Sequence, residues 1–371
     1  MEKIIDIVES IAHEKGLDKK NVKEVVVKSL YNTAKKVYGD EYEYEVYIDD
    51  KTKNLQLFQK VLVVSDNDER AKESNENHMV LSKAKEIDSD IEVGDELTYK
   101  LPLDNLGRTA SAVLQKELEF HIQRLLEDKI FEKYQKMIGH IISGSVVRVD
   151  FEENTYIEIN EVRAILPRRN RIKGESFKVG NVVKSVIRKV YIDAGRGMVV
   201  ELSRTTPKFL EKLLELEVPE IKDGNVIIHD VARIPGERAK VSLSSSHPNI
   251  DPVGAAVGTR GVRIMAVSKE LKNENIDCIE YSSIPEIYIT KALSPAIVSA
   301  VKIEGKKAIV TLPADQKSKA IGKSGINIRL ASMLTGYEIE LVERAGGASE
   351  QNNENREKTM DANALKSLFN E

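Results

Sequence analysis

The strongest constraint on this chain is a four-residue loop that occurs twice. Gly258-Thr259-Arg260-Gly261 stands between two helix-like stretches, 252–257 and 262–271. Sixty-four residues later Gly322-Lys323-Ser324-Gly325 stands between 315–321 and 326–334. The segments after the two loops also match: Val262-Arg263-Ile264 against Ile326-Asn327-Ile328, and Ser268 against Ser332, before strand-like segments at 276–281 and 337–342. Glycine ends helices so often that a single loop of this kind would be read as a C-cap. A loop, helix and strand repeated at one offset require a repeated unit instead. Two glycines three apart let the backbone turn sharply and come close to another chain. The helix after each loop aims its unpaired first-turn N–H groups and the positive end of its dipole at that place. Arg260 adds a full charge inside the first loop, and a phosphate fits there. The Gly-Lys-Ser of the second loop invites a nucleotide-binding reading. A P-loop, however, needs a glycine five residues before Gly322, and position 317 is Lys.

Around each loop the expected order is helix, strand, strand, helix, loop, helix, strand. The first set is 207–217, 226–233, 239–244, 252–257, 262–271 and 276–281; the second is 285–293, 298–303, 308–312, 315–321, 326–334 and 337–342. A GXXG loop between two helices is how KH domains clamp unpaired nucleic acid, and this order is the bacterial type. Two tandem KH α/β domains are therefore expected, 205–282 and 283–344. So few residues join them that they are expected to pack as a rigid pair.

Upstream, residues 139–204 read as five short strands joined by turns, at 141–150, 155–159, 162–166, 182–191 and 198–203. Five strands in so short a stretch predict a small OB-type β-barrel, assigned to 138–204. Arg163, Arg168, Arg169, Arg171 and Lys173 cluster about its middle turn, with Tyr156 and Phe177 near. OB barrels hold single strands in basic grooves with bases stacked on aromatic rings. The arginines are read here as a nucleic-acid contact, and Phe177 as a core plug.

The first 137 residues predict a compact α+β unit. Helical spacing covers 1–37, with Asp18 as N-cap of a second helix that turns Val22, Val25, Val26, Leu30, Ala34 and Val37 one way. Strand alternation appears at 42–48 and 55–64 about a turn at 49–54, and another strand opens at 93–95. A long helix without Pro or Gly is expected over 109–137. Its apolar row, Leu114, Leu118, Ile122, Leu126, Ile130, Tyr134 and Ile138, predicts packing against a neighbouring domain, with the helix as connector. Residues 345–371 are too polar to bury a core and are expected to be a disordered tail. Met360, Ala364, Leu365, Leu368 and Phe369 near its end share one helical face and leave a short docking helix as the alternative.

Composition narrows the function classes. Cys278 is the only cysteine, and the six histidines lack metal-ligand spacing, so no internal disulfide, metal site or cofactor is expected. No signal peptide or membrane-length apolar run is present, so a cytoplasmic location is expected. Residues 1–128 carry 19 Lys and Arg against 28 Asp and Glu, whereas 129–345 carry 34 against 27. An acidic front and a basic middle suit two different partners, a protein and a nucleic acid.

The ordered set of modules resembles the NusA family of bacterial transcription elongation factors. The resemblance covers 1–344 and is carried by SRTTPKFLEKLLELEVPEI at 203–221, RIPGERAKV at 233–241, IDPVGAAVGTRGVRI at 250–264 and AIGKSGINIRLASMLTGYEIELV at 320–342. RAILPRR at 163–169 is similar to the S1-type domain of that family. The resemblance implies a non-enzymatic RNA-binding transcription factor that modulates pausing, intrinsic termination and antitermination. Its implied partners are RNA polymerase core, bound by the N-terminal unit, nascent single-stranded RNA, and other elongation or antitermination factors; a monomer is expected. The implied RNA-clamping residues are Gly258, Thr259, Arg260 and Gly261, then Gly322, Lys323, Ser324 and Gly325; Arg263 beside the first loop and Arg168, Arg169 and Arg171 on the barrel are expected as further RNA contacts. Asp at Gly258 and Gly322 is expected to abolish RNA binding and leave folding intact. Some members carry further acidic repeat domains of about 70 residues after the second KH, near the lower end of domain size; the stretch 345–371 is too short for one, and functions resting on them are not carried over. The competing readings are an RNA-processing enzyme, as KH and S1-type modules also decorate phosphorolytic exoribonucleases, and a ribosome-assembly or messenger-binding adaptor. No catalytic cluster is evident in the first 130 or so residues, where such an exoribonuclease would carry its catalytic domains.

Overall fold

The computed structural model describes residues 4–48, 55–68, 77–101, 108–160, 162–195 and 197–343. The turn expected at 49–54 and the tail at 345–371, with its docking helix, lie outside the described residues. The chain divides into two compact units, Met1–Lys136 and Met137–Glu371.

In the first unit α1 (Ile4–Lys15) leads into α2 (Lys19–Tyr38). Asp18 caps α2 as expected: its Oδ1 accepts from the backbone N–H of Lys20 at 2.8 Å. Val22, Val26, Leu30 and Ala34 turn inward onto Val8, Ala12, Tyr44, Leu55 and Leu57. Val37, expected on the same face, is exposed, and Tyr38 after it packs on the core instead. The sheet comprises β1 (Glu43–Ile48), β2 (Leu55–Val64), β3 (His78–Val80) and β4 (Glu96–Leu101). The long β2 is its centre, antiparallel to β1 and β4 and parallel to β3. The one-turn α3 (Leu81–Ala84) directly follows β3.

The long helix is α4 (Arg108–Lys136). The first part of its apolar row serves its own unit: Leu114 and Leu118 pack on the core under α2. An i+4 row drifts around a straight helix, so the inward position after Leu118 passes to Leu125, which lies outside the row. Polar contacts fix the same face. Glu117 accepts from Asn32 Nδ2 at 3.1 Å and from Lys36 Nζ at 2.6 Å.

The second unit starts with five strands, β5 (Ile141–Val149), β6 (Thr155–Ile159), β7 (Val162–Leu166), β8 (Val182–Asp193) and β9 (Gly197–Ser203). They close in the order β5-β6-β7-β9-β8, which gives the five-stranded OB-type barrel. Closure draws β5 and β6 together at Gly144, where any Cβ would lie 2.4 Å from the Glu158 carbonyl oxygen.

Two α/β modules come next. The first holds α5 (Pro207–Glu217), α6 (Pro219–Lys222), β10 (Val226–Ile234), β11 (Arg238–Ser245), α7 (Pro252–Val257), α8 (Val262–Glu270) and β12 (Asn275–Glu280). The second holds α9 (Pro285–Ala292), β13 (Ala300–Glu304), β14 (Lys307–Leu312), α10 (Ala314–Ile321), α11 (Ile326–Thr335) and β15 (Glu338–Glu343). In both sheets the middle strand runs antiparallel to the strand before it and parallel to the one after the helices. Short α6 was not expected from the sequence.

Barrel and first module share one core, in which Ile172 and Val186 meet Phe209, Leu210 and Leu213. The joint is reinforced by buried charge. Arg204 donates from Nε to Glu175 Oε1 at 2.9 Å and from Nη2 to the Glu270 carbonyl at 2.7 Å. Arg233 and Glu274 form a pair whose side chains are both 0% exposed, and Arg233 Nη1 also donates to the Arg204 carbonyl at 2.7 Å. The outer face of the first module's sheet is then covered by the second module. Ala232, Ile234, Ile279 and Tyr281 lie in one core with Tyr288, Ile289, Leu330 and Leu334. Lys240, its side chain 0% exposed, pairs with Asp277 Oδ2 of its own module at 3.1 Å and crosses that junction to donate to the Ser294 carbonyl at 3.0 Å. Desolvation lowers its pKa, although the Asp277 charge opposes the shift.

Candidate nucleic-acid interface

The two loops have one backbone. Gly258 has φ 74°, ψ 169° and Gly322 has φ 73°, ψ 175°. Arg260 (φ 55°, ψ 24°) and Ser324 (φ 54°, ψ 25°) are both left-handed although neither is glycine. Gly261 (φ 77°, ψ 13°) and Gly325 (φ 74°, ψ 10°) are left-handed N-caps of α8 and α11. The amides of the first glycines close the preceding helices, Gly258 onto the Gly254 carbonyl at 2.8 Å and Gly322 onto the Ser318 carbonyl at 2.9 Å. Each loop thus ends one helix and starts the next within four residues. Thr259, Arg260, Lys323 and Ser324 project as exposed side chains.

The glycines of a loop do different work. The first occupies a φ, ψ region that is almost exclusively glycine's. A Cβ at Gly258 would lie 2.8 Å from Arg263 Cγ, and at Gly322 2.6 Å from Asn327 Cβ. Asp at these two positions would be strained by φ and would crowd the Arg263 stem at the first loop and the start of α11 at the second, a cost to folding that the sequence reading did not count. The second glycine faces outward: nothing lies within 4 Å of a Cβ at Gly325, and the nearest atom to one at Gly261 is Met265 Cε at 3.8 Å. An incoming chain can approach the backbone from this side.

Arg263, expected to touch RNA, is turned the other way. Its Nη1 donates to the Ala255 carbonyl at 2.7 Å and to Glu220 Oε2 at 2.8 Å, while its stem covers Gly258. Glu220 is held below the usual carboxylate range, first by its own backbone amide and then by Arg263, against the opposing effect of burial. The sequence reading missed the apolar surface beside the loops. Val262 and Met265 on α8 and Met333 on α11 are all more than half exposed, at 62%, 56% and 52%. The run after each loop held the signal, because no helical face of α8 buries all its apolar residues.

On the barrel, Arg168 and Arg169 are exposed, with side chains at 71% and 69%. Arg171 is not: its side chain is 9% exposed and donates to the Glu153 carbonyl at 3.0 Å and the Glu175 carbonyl at 2.9 Å. It braces the turn, a correction to its expected place among the RNA contacts. Phe177 lies half-buried between the Arg171 and Arg204 guanidinium groups, 5.8 and 5.9 Å from its ring centre. Tyr156 is half-buried beneath the Arg148 guanidinium at 4.5 Å. The basic cluster also has an anchor that the sequence did not reveal. Glu201, its side chain 3% exposed, lies 3.1 Å from Arg188, 3.4 Å from Arg169 and 3.5 Å from Lys189, and accepts from Asn170 Nδ2 at 3.0 Å. Burial pushes its carboxyl up, but Asn170, Lys189 and Arg169 outweigh burial and hold it below the usual range.

Among the described residues no group of three or more His, Cys, Asp or Glu is placed to hold a metal, and no helix is long and apolar enough to cross a membrane. Burial and the Asp277 charge push the Cys278 thiol up to about 12, so it stays protonated at neutral pH.

These loops and modules have close counterparts. Residues 3–128 match the NusA N-terminal domain, 204–281 the NusA-like first KH domain and 285–349 the NusA-like second KH domain. The chain is 45% identical to the transcription termination/antitermination protein NusA of Helicobacter pylori strain J99, over 100% of both chains. It is 36% identical to the NusA of Thermus thermophilus, over 91% of this chain and 89% of that one. Against the NusA of Bacillus subtilis it is 32% identical, over 91% and 90%. With three family domains in order and full-length identity at this level, the chain belongs to the NusA family.

Proposed function

We propose that this protein is a non-enzymatic, cytoplasmic transcription factor that binds RNA polymerase core and nascent single-stranded RNA, and so modulates pausing, termination and antitermination. The observation that carries the proposal is the pair of GXXG loops with one backbone geometry, presented by two modules that share a core. The relatives' names, transcription termination/antitermination protein, support the process.

In this reading Gly258, Thr259, Arg260 and Gly261, and Gly322, Lys323, Ser324 and Gly325, hold the RNA backbone, with charge supplied by Arg260 and Lys323. The bases lie along the apolar side of α8 and α11 that holds Val262, Met265 and Met333. Arg168 and Arg169 extend the basic track onto the barrel. The acidic unit, 1–137, tethers the array to polymerase; the remaining domains are 138–204, 205–282 and 283–344. Tethering raises the local concentration of the RNA modules, so weak single contacts suffice.

The test is in vitro transcription on a pause template with the full chain added. The parent protein is expected to lengthen the pause. Gly261→Asp with Gly325→Asp, which place a carboxylate on the open side of each loop, are expected to abolish the effect. A pause unaltered by the parent protein overturns the proposal.

A further inference from the structure

The residue five positions after the first glycine has the same surroundings in both loops, although its chemistry differs. In the first module it is Arg263 and in the second Asn327. Each lies over the space where the first glycine lacks a side chain. Each also donates to a carbonyl at the C-terminal end of the preceding helix. Arg263 Nη1 reaches the Ala255 carbonyl at 2.7 Å, and Asn327 Nδ2 reaches the Lys319 carbonyl at 3.3 Å and the Ala320 carbonyl at 3.1 Å. Positions 255 and 319 are related by the same offset as the loops. The carbonyls at the end of a helix have no intrahelical donor, so these bonds supply one and tie the end of one helix to the start of the next.

We infer that Arg263 and Asn327 are positioning residues that lock their GXXG loops in the left-handed conformation, and that neither touches RNA. The inference rests on the RNA-clamping reading above for its effect on binding, but not for its effect on the loop. The lock has something to resist: Arg260 and Ser324 sit at φ 55° and 54°, where a non-glycine residue costs about 1–2 kcal/mol. The two locks differ in what they anchor to. Arg263 is paired through the same Nη1 with Glu220 on α6 of its own module. Asn327 is bonded to the Leu293 carbonyl at 3.1 Å, just after α9. Asn327 is buried, whereas Arg263 is half-buried, so the first lock can be removed with less risk to the fold.

The experiment uses the full chain with Arg263→Ala, Arg263→Asn and, as a control, Arg260→Ala. Binding of an unstructured single-stranded RNA oligonucleotide is followed by fluorescence anisotropy across a salt series, and loop amides by hydrogen exchange without RNA. Arg263→Ala is expected to weaken binding roughly fivefold, as for loss of one hydrogen bond, with the slope of log K against log salt unchanged. Arg260→Ala is expected to reduce the magnitude of that slope by about 0.7, as for loss of one phosphate contact on a single strand. Exchange of the 258–262 amides is expected to rise in Arg263→Ala. Arg263→Asn, which installs the second module's own lock, is expected to restore both affinity and protection. Unchanged exchange in Arg263→Ala, a slope change equal to that of Arg260→Ala, or no rescue by Asn overturns the inference. If exchange rises and Asn rescues it while neither Arg260→Ala nor Arg263→Ala alters RNA binding, the lock stands and the clamping assignment of the first loop falls.

Discussion

The division of labour between the two glycines of a loop can be measured by placing one methyl group at each. At Gly325 the methyl enters open space, and the cost is that of holding alanine left-handed at φ 74°, about 1 kcal/mol. At Gly322 two terms add. The φ 73°, ψ 175° conformation costs about 1–3 kcal/mol for a non-glycine residue. The new Cβ would also stand 2.6 Å from Asn327 Cβ and 3.1 Å from its backbone N, and forced overpacking adds about 1–3 kcal/mol. The midpoint of the sum is about 4 kcal/mol. For a unit of this size each kcal/mol lowers Tm by about 2–4 °C, so Gly325→Ala should melt about 2–4 °C below the parent and Gly322→Ala about 8–16 °C below. RNA binding, measured well below both transitions, should show a different pattern. Gly325→Ala puts its methyl where a phosphate backbone would approach and should weaken binding about tenfold, equal to ~1.4 kcal/mol, in a protein that is almost fully stable. Melting is followed by calorimetry and binding by fluorescence anisotropy. Equal Tm losses for the two variants would refute the geometric reasoning. Parent-like binding by Gly325→Ala would refute the placement of RNA on the open side of that loop.

Other substitutions separate the parts of the molecule. Arg233→Leu leaves Glu274 as an unpaired charge in a fully buried site and should cost about 3–5 kcal/mol, read as a lower midpoint in denaturant unfolding of the second unit. Leu57→Ala, at a 0% exposed position, should cost the first unit about 2–5 kcal/mol and leave single-stranded RNA affinity unchanged. Glu201→Gln should destabilise by about 1–2 kcal/mol at neutral pH, since Arg169, Arg188 and Lys189 lose their common carboxylate. The Glu201 carboxyl is depressed in the folded state, so its contribution is present above the unfolded value near 4.5 and is lost as pH falls through the lower folded value. Stability against pH should therefore fall more steeply below 4.5 for the parent than for Glu201→Gln, and parallel acid limbs would contradict this.

The local elements and the repeat were legible in the sequence because they depend on short-range rules. Asp18 has the side chain to cap α2 wherever that helix packs, and the glycines at 258, 261, 322 and 325 permit positive φ before any tertiary contact exists. Short strand-like runs separated by turns marked the five barrel strands, and the constant offset between the loops marked two copies of one unit. The basic middle and acidic front came from counting charges. Tertiary structure decided which of the candidate residues face outward. Arg263, Arg171 and Arg168 look equivalent in sequence, each an arginine next to a turn. The carbonyls of Ala255, Glu153 and Glu175 turn the first two inward, and those carbonyls come from chain segments up to 18 residues away. The Glu201 anchor, the Arg233–Glu274 pair and the buried Lys240 were invisible for the same reason. A charged residue enters a core only where distant partners replace its water, and the sequence names the charge but not the partners. The apolar row of α4 shows the limit from the other side: periodicity identifies an apolar face, and only packing shows which neighbour covers it.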